Sequence, residues 1–151
     1  MRLTLAVLAT LSIGVTLAAA DFTATWKLNV EKSKLPADLA SETMTISQTG
    51  PNSYKSSIDM VTKSGERRHT ELNRTYDGRE HLLTGVGIRQ EKGASEICQQ
   101  IDPSTRKVTA KRDGKVIEEI TSTLSPDGKV ATVDIRRTLG NTEEILVFDR
   151  Q

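Results

Sequence analysis

Three arginines stand where strand alternation places apolar side chains. In the stretch Arg68-His69-Thr70-Glu71-Leu72-Asn73-Arg74-Thr75-Tyr76, the face that carries Leu72 and Tyr76 also carries Arg68, Thr70 and Arg74. Arg137 shares a face in the same way with Ile135 and Leu139. A guanidinium turned into an apolar interior must be paired or must meet an anion, because an unpaired buried charge is strongly unfavourable. Its planar fork grips a carboxylate or phosphate through two parallel hydrogen bonds. One reading is therefore an interior that binds an amphiphilic anion. The other is internal: the arginines sit at a wet rim, or pair with Glu118, which shares a face with Val116 and Ile120. A one-residue register slip would turn all of them outward.

Other chemistry is sparse. His69 and Glu71 share the opposite face with Arg67 and Asn73, too few converging groups for a metal, which needs three or four. His81 stands alone before Leu82-Leu83 and reads as an exposed or hydrogen-bonded histidine. Cys98 is the single cysteine, with no histidine near it in sequence, and reads as a small buried side chain rather than a nucleophile. There is no nucleophile elbow and no His-Glu-x-x-His spacing. Gly85-Val86-Gly87 precedes a short strand instead of a helix, so it is not a phosphate loop. Asn73-Arg74-Thr75 fits a glycosylation sequon, relevant only in a eukaryotic secretory path. No catalytic residue, metal or cofactor is expected, and the chain reads as non-enzymatic. Carbohydrate and single-stranded nucleic-acid sites need exposed stacking rings, and the aromatics are only Phe22, Trp26, Tyr54, Tyr76 and Phe148. A formal net charge of +1 offers nucleic acid no basic surface.

The elements that must position these arginines are short strands. Turn signals arrive at even spacing: Thr49-Gly50-Pro51-Asn52, Lys63-Ser64-Gly65, Asp77-Gly78, Lys92-Gly93, Asp102-Pro103-Ser104, Asp113-Gly114, Ser125-Pro126-Asp127-Gly128 and Gly140-Asn141. Between them residues alternate as half-buried strands do. Phe22, Ala24, Trp26 and Leu28 share one face, as do Met44 with Ile46, and Tyr54 with Ile58 and Met60. Val116, Ile120 and Leu124 line up, as do Ala131, Val133, Ile135 and Leu139. The last strand, Glu143 to Asp149, is apolar on both faces near Ile145 to Phe148, which suits a strand beneath another element. The segment Asn29 to Ser41 reads as a loop with one helical turn near Pro36 to Ala40, covering one end of the fold. The sum is about ten strands in a hairpin meander, hence an antiparallel β-barrel of eight to ten strands.

Residues 1–20 read as a secretory signal. Arg2 supplies the positive start, Leu3 to Leu17 an apolar run, and Ala18-Ala19-Ala20 the small residues before a cut. The run is short for a membrane span and lacks a charged stop-transfer flank. The expected product is a single domain over residues 21–151, secreted or periplasmic, with no transmembrane segment. With one cysteine it rests on its core and ladder rather than on a disulfide.

The opening strand, Phe22-Thr23-Ala24-Thr25-Trp26-Lys27-Leu28, resembles the first strand of the calycins, meaning lipocalins and fatty-acid-binding proteins. The close, Val147-Phe148-Asp149-Arg150, is similar to the terminal strand of the fatty-acid-binding group, and small exported bacterial proteins share the opening. The resemblance implies a barrel with Trp26 plugging its closed end and a ligand in its lumen. Ala24 replaces the usual glycine, and the lid segment is too short for two full helices. The fatty-acid-binding group holds a carboxylate with an arginine and a tyrosine two apart on the last strand. The matching positions here are Leu146 and Phe148, so that site does not carry over. The expected lumen comprises Trp26, Met44, Ile58, Met60, Leu72 and Tyr76, with Arg68, Arg74 and Arg137. Its expected occupant is a small hydrophobic or amphiphilic ligand. The alternative is a filled core in a structural module that contacts another envelope protein.

Overall fold

Paired positive φ values set the rhythm of the chain. Asp113 and Gly114 take φ of 48° and 76°, and Gly140 and Asn141 take 87° and 48°. Two successive residues of this kind make turns whose twist matches that of the strands they join. The computed structural model, which describes residues 21–87 and 93–151, has eleven strands, and two of the connections between them are such turns. The expected signal segment, residues 1–20, and Lys92 of the Lys92-Gly93 turn lie outside the described residues.

The strands are β1 (Ala24–Leu28), β2 (Leu39–Gly50), β3 (Ser53–Thr62), β4 (Arg67–Thr75), β5 (Glu80–Leu82), β6 (Thr84–Val86), β7 (Ala94–Asp102), β8 (Thr105–Arg112), β9 (Lys115–Leu124), β10 (Val130–Arg137) and β11 (Thr142–Arg150). They form one antiparallel sheet in the order β5-β7-β8-β9-β10-β11-β1-β2-β3-β4-β6. The meander closes on itself through β1, which pairs with both β2 and β11. The two outermost strands, β5 and β6, are neighbours in the chain, with only Leu83 between them. One runs along β7 and the other along β4, so this stretch draws the edges together and the barrel is nearly closed. A Cβ at position 85 would lie 1.8 Å from the Glu71 carbonyl oxygen. Gly85 is thus what lets β6 lie against β4.

The all-β barrel is as the alternation predicts, with the short β5 and β6 adding to the expected strand number. Other details differ. The helical turn is a single 3₁₀ turn at Val30–Lys32, not at Pro36 to Ala40. Asn29 caps it, its side chain accepting from the Lys32 amide at 3.2 Å. Pro36 instead begins a tight turn that delivers Leu39 into β2. The segment does cover β11: Lys34 bridges Ile145, and the Val147 amide donates to Ser33 Oγ at 2.8 Å. That cover accounts for the apolar outer face of β11. Gly85 and Val86 form β6 rather than preceding a strand. Leu139 leaves the β10 face, because the strand ends at Arg137 and the Gly140-Asn141 turn carries Leu139 outward, 70% exposed. Val116 is exposed at a strand end, beside a register shift between Ala110 and Lys111.

Strand directions define two ends. Phe22, the C-terminal halves of β2 and β4, the N-terminal halves of β3, β8 and β10, and the ends of β9 and β11 meet at one end. The core is there: Trp26, Leu28, Leu124, Ala131, Leu146 and Phe148 are all buried with Phe22. Trp26 is fully buried, and its Nε1–H donates to the Phe22 carbonyl at 2.9 Å. This end is the floor. The opposite end carries the exposed Asp38 and Arg68 and the half-buried Arg137, and is the mouth.

Candidate ligand-binding site

Above the floor the core is not filled. A cavity of about 410 Å³ runs between the mouth and the floor, within the size range of small-molecule sites. Its wall includes every residue the alternation placed in the lumen: Trp26, Met44, Ile58, Met60, Leu72, Tyr76, Arg68, Arg74 and Arg137. The register explains the agreement. Trp26 faces Met44, Met44 faces Ile58, and Ile58 faces Thr70, so one row of inward positions crosses four strands. Leu146 and Phe148 are also in the wall, where their apolar side chains offer nothing to a carboxylate.

The three arginines are not free to serve an anion. Arg68 lies at the rim and forms a two-point pair with Glu66, at 3.0 Å from Nε and 3.0 Å from Nη2. Arg74 is engaged by the buried Glu96 at 3.1 Å. Arg137 is held between Glu118, at 2.8 Å, and Glu144. Alternation showed which way these side chains point, and it paired Arg137 with Glu118, but it did not reveal Glu66, Glu96 or Glu144 as partners. Glu96 lies on β7, across the barrel seam from β4, so the Arg74–Glu96 pair ties two strands that share no ladder.

Among the described residues of the cavity wall, Arg106 is the cation without a carboxylate partner. It is 5% exposed and lines the cavity at the floor end of β8. Its guanidinium carbon lies 4.0 Å from the Tyr54 ring centre, 4.4 Å from Phe22 and 4.6 Å from Tyr76. Tyr54 and Tyr76 meet edge to face, with ring centres 5.8 Å apart. Three of the five aromatics therefore surround one cation. Ring faces attract a guanidinium, yet they satisfy none of its N–H donors. Nε donates to Gln100 Oε1 at 2.7 Å. Among the described residues no carboxylate stands within ion-pair distance of Arg106. Arg106 was not among the residues expected in the lumen, although it alternates with Val108 and Ala110 on the inward face of β8.

A second lone charge lies nearer the mouth. Glu42 on β2 is buried, lines the cavity, and pairs across the ladder with Met60. Among the described residues its carboxyl makes no hydrogen bond or ion pair. Burial alone pushes it from the ordinary 4.5 up to about 7, since a dry site penalises the charged form.

The two histidines have surface roles. His69 meets Asp59 at 2.7 Å on the outer face, and His81 meets Asp77 at 2.9 Å. Cys98 is buried, and burial, with Glu96 nearby, pushes its thiol up to about 12. No cluster of three metal-ligating side chains occurs among the described residues. No helix among them is long and apolar enough to cross a membrane.

The fold is calycin-like, a nearly closed antiparallel β-barrel. The fluorescent protein UnaG is similar in fold. Its wild-type crystal structure matches with a TM-score of 0.62 and 16% identity, over 86% of this chain and 97% of that one. One point variant of UnaG gives the same score, over 86% and 96% of the two chains. Another gives 0.60, over 85% and 95%. No protein-family profile and no curated protein sequence matches the chain.

Proposed function

We propose that this protein is an exported, non-enzymatic carrier of a small amphiphile whose anionic group is held at Arg106. The observation that carries the reading is the unpaired, ring-stacked guanidinium at the floor of an otherwise largely apolar cavity. A carboxylate arriving there gains charge-assisted hydrogen bonds where water is scarce. The apolar walls above, among them Trp26, Met44, Ile58 and Leu72, take the hydrocarbon. The calycin-like fold agrees with a ligand in the lumen, and the open cavity argues against a filled structural core. The N-terminal apolar run and Ala18-Ala19-Ala20 support export.

Titration of the purified protein with laurate and with lauryl alcohol tests the anion preference. A charge-assisted bond contributes roughly 1.5–3 kcal/mol, so laurate should bind roughly ten- to hundredfold more tightly. Arg106→Gln should bring the two affinities together while leaving the alcohol nearly unaffected. Equal affinities in the unaltered protein, or no binding of either, would overturn the assignment. N-terminal sequencing from an expressing bacterial host tests export, with Asp21 expected as the first residue.

A further inference from the structure

We propose that the cavity takes a two-headed ligand, with its carboxylate at Arg106 and a protonated amine near the other end at Glu42. The inference rests on the anion reading above and adds a second, opposite pole. Three observations converge on it.

The first is that Glu42 is a carboxyl group inside the cavity with no partner among the described residues, although polar groups in such a place are normally satisfied. Glu42 is the counterpart of Arg106, a lining group of opposite charge that also has no ion-pair partner among the described residues.

The second is the sign of the surrounding charge. The acidic groups in the cavity wall are Asp38, Glu42, Glu118 and Glu144, and all belong to its mouth half. They face two arginines there, Arg68 and Arg137. Arg68 is taken by Glu66, and Arg137 by both Glu118 and Glu144. The mouth half is thus net acidic, and the floor half, with Arg106 unpaired and Arg74 neutralised by Glu96, is net basic. A ligand with a carboxylate inside and an ammonium outside matches that gradient, whereas a second anion near the mouth opposes it.

The third is spacing. Tyr54, on which Arg106 stacks, faces Gln48 of β2, and Glu42 lies six residues back along the same strand. The intervening ladder is regular, so the separation is roughly 20 Å of backbone at about 3.3 Å per residue. The reach of the two side chains into the lumen shortens it. One extended alkyl chain spans that interval, and a short amino acid does not.

Calorimetric titration with laurate, ω-hydroxylaurate, ω-aminolaurate and γ-aminobutyrate tests the proposal. The ω-amino compound should bind roughly ten- to hundredfold more tightly than laurate, the gain of one charge-assisted contact. ω-Hydroxylaurate should fall between them, and γ-aminobutyrate should show no such gain. The advantage of the amine should grow as pH rises through about 7, where Glu42 ionises. The other titratable groups facing that half of the lumen are Arg68 from β4, Asp38 from the segment before β2, Glu118 from β9, Arg137 from β10 and Glu144 from β11. Glu42→Gln should abolish the amine advantage over laurate and its pH dependence. Laurate binding with no gain for the amine overturns the second pole and leaves the Arg106 reading standing. An amine advantage that survives in Glu42→Gln also overturns it. Failure of every amphiphile to bind overturns both readings.

Discussion

Glu42→Gln should make the protein more stable, with a gain that is absent at about pH 4, grows as pH rises from 4.5 to about 7 and is complete above that. The folded protein raises the Glu42 carboxyl from 4.5 to about 7 by burying it. Between those values the folded chain keeps a proton that the unfolded chain has released. Stability therefore falls as pH rises through that window and stays low above it. At 1.36 kcal/mol for each pH unit, the loss is about 3 kcal/mol. Glutamine has nearly the same shape, stays neutral and escapes it. Urea denaturation at about pH 4 should find the two proteins nearly equal; at about pH 8 the variant should be more stable by about 3 kcal/mol. Several exposed carboxyls, including Glu66, Glu71 and Asp77, are shifted the opposite way by their partners. They add stability above their unfolded values that is lost as pH falls. Both proteins carry them, so they cancel in the difference. A constant offset between the proteins at all pH values would show that Glu42 is neither dry nor isolated. A loss of this size is large within a typical total of roughly 5–15 kcal/mol. A ligand ammonium that offsets it would therefore stabilise the protein more at high pH than at low.

Further expectations concern the frame around the cavity. Trp26→Ala should cost about 3–5 kcal/mol, as removal of a buried aromatic does; a denaturation midpoint close to that of the unaltered protein would mean that the indole does not anchor the floor. Glu96→Gln leaves Arg74 buried without its carboxylate and should cost about 3–5 kcal/mol, measured in the same way. The double change Arg74→Met with Glu96→Leu should recover much of that loss, and no recovery would count against a pair that serves mainly to close the seam. Cys98 should resist a thiol reagent at about pH 8 in the folded protein and react at once in denaturant, because burial keeps it protonated. Prompt labelling of the native state would contradict its burial.

Much of the barrel was legible because two local signals agree along the chain. Positive-φ turns favour glycine, asparagine or aspartate, and inward positions favour apolar side chains at every second residue. Both are written in short windows, so Met44, Ile58, Met60 and Leu72 could be placed in one lumen before any ladder was known. The signals fail where a window serves two geometries. Leu35, Pro36 and Leu39 suit a helical turn, yet the same residues make a tight turn into β2, while Asn29 caps the 3₁₀ turn upstream. Leu139 keeps the parity of Ile135 but falls past the end of β10, because parity says nothing about where a strand stops.

The site was half legible, for a different physical reason. Period-two alternation fixes the direction of a side chain and not its partner. It placed Arg68, Arg74 and Arg137 on the face that lines the cavity, but whether each is free depends on carboxylates two residues away, as Glu66 is, or across the seam, as Glu96 is. Arg106 and Glu42 are the reverse case, inward charges whose significance lies in what is missing beside them. Absence of a partner is a property of the closed barrel alone, since every strand contributes to it. The rings around Arg106 show how the fold tolerates that absence: Phe22, Tyr54 and Tyr76 come from three separate stretches of chain, and together they offer the guanidinium attraction without neutralising it. A carboxylate in the same place would hold the arginine more tightly but would leave it nothing to give an incoming anion. The ring-stacked arrangement keeps the cation in position and its charge available, which is the property a buried anchor requires.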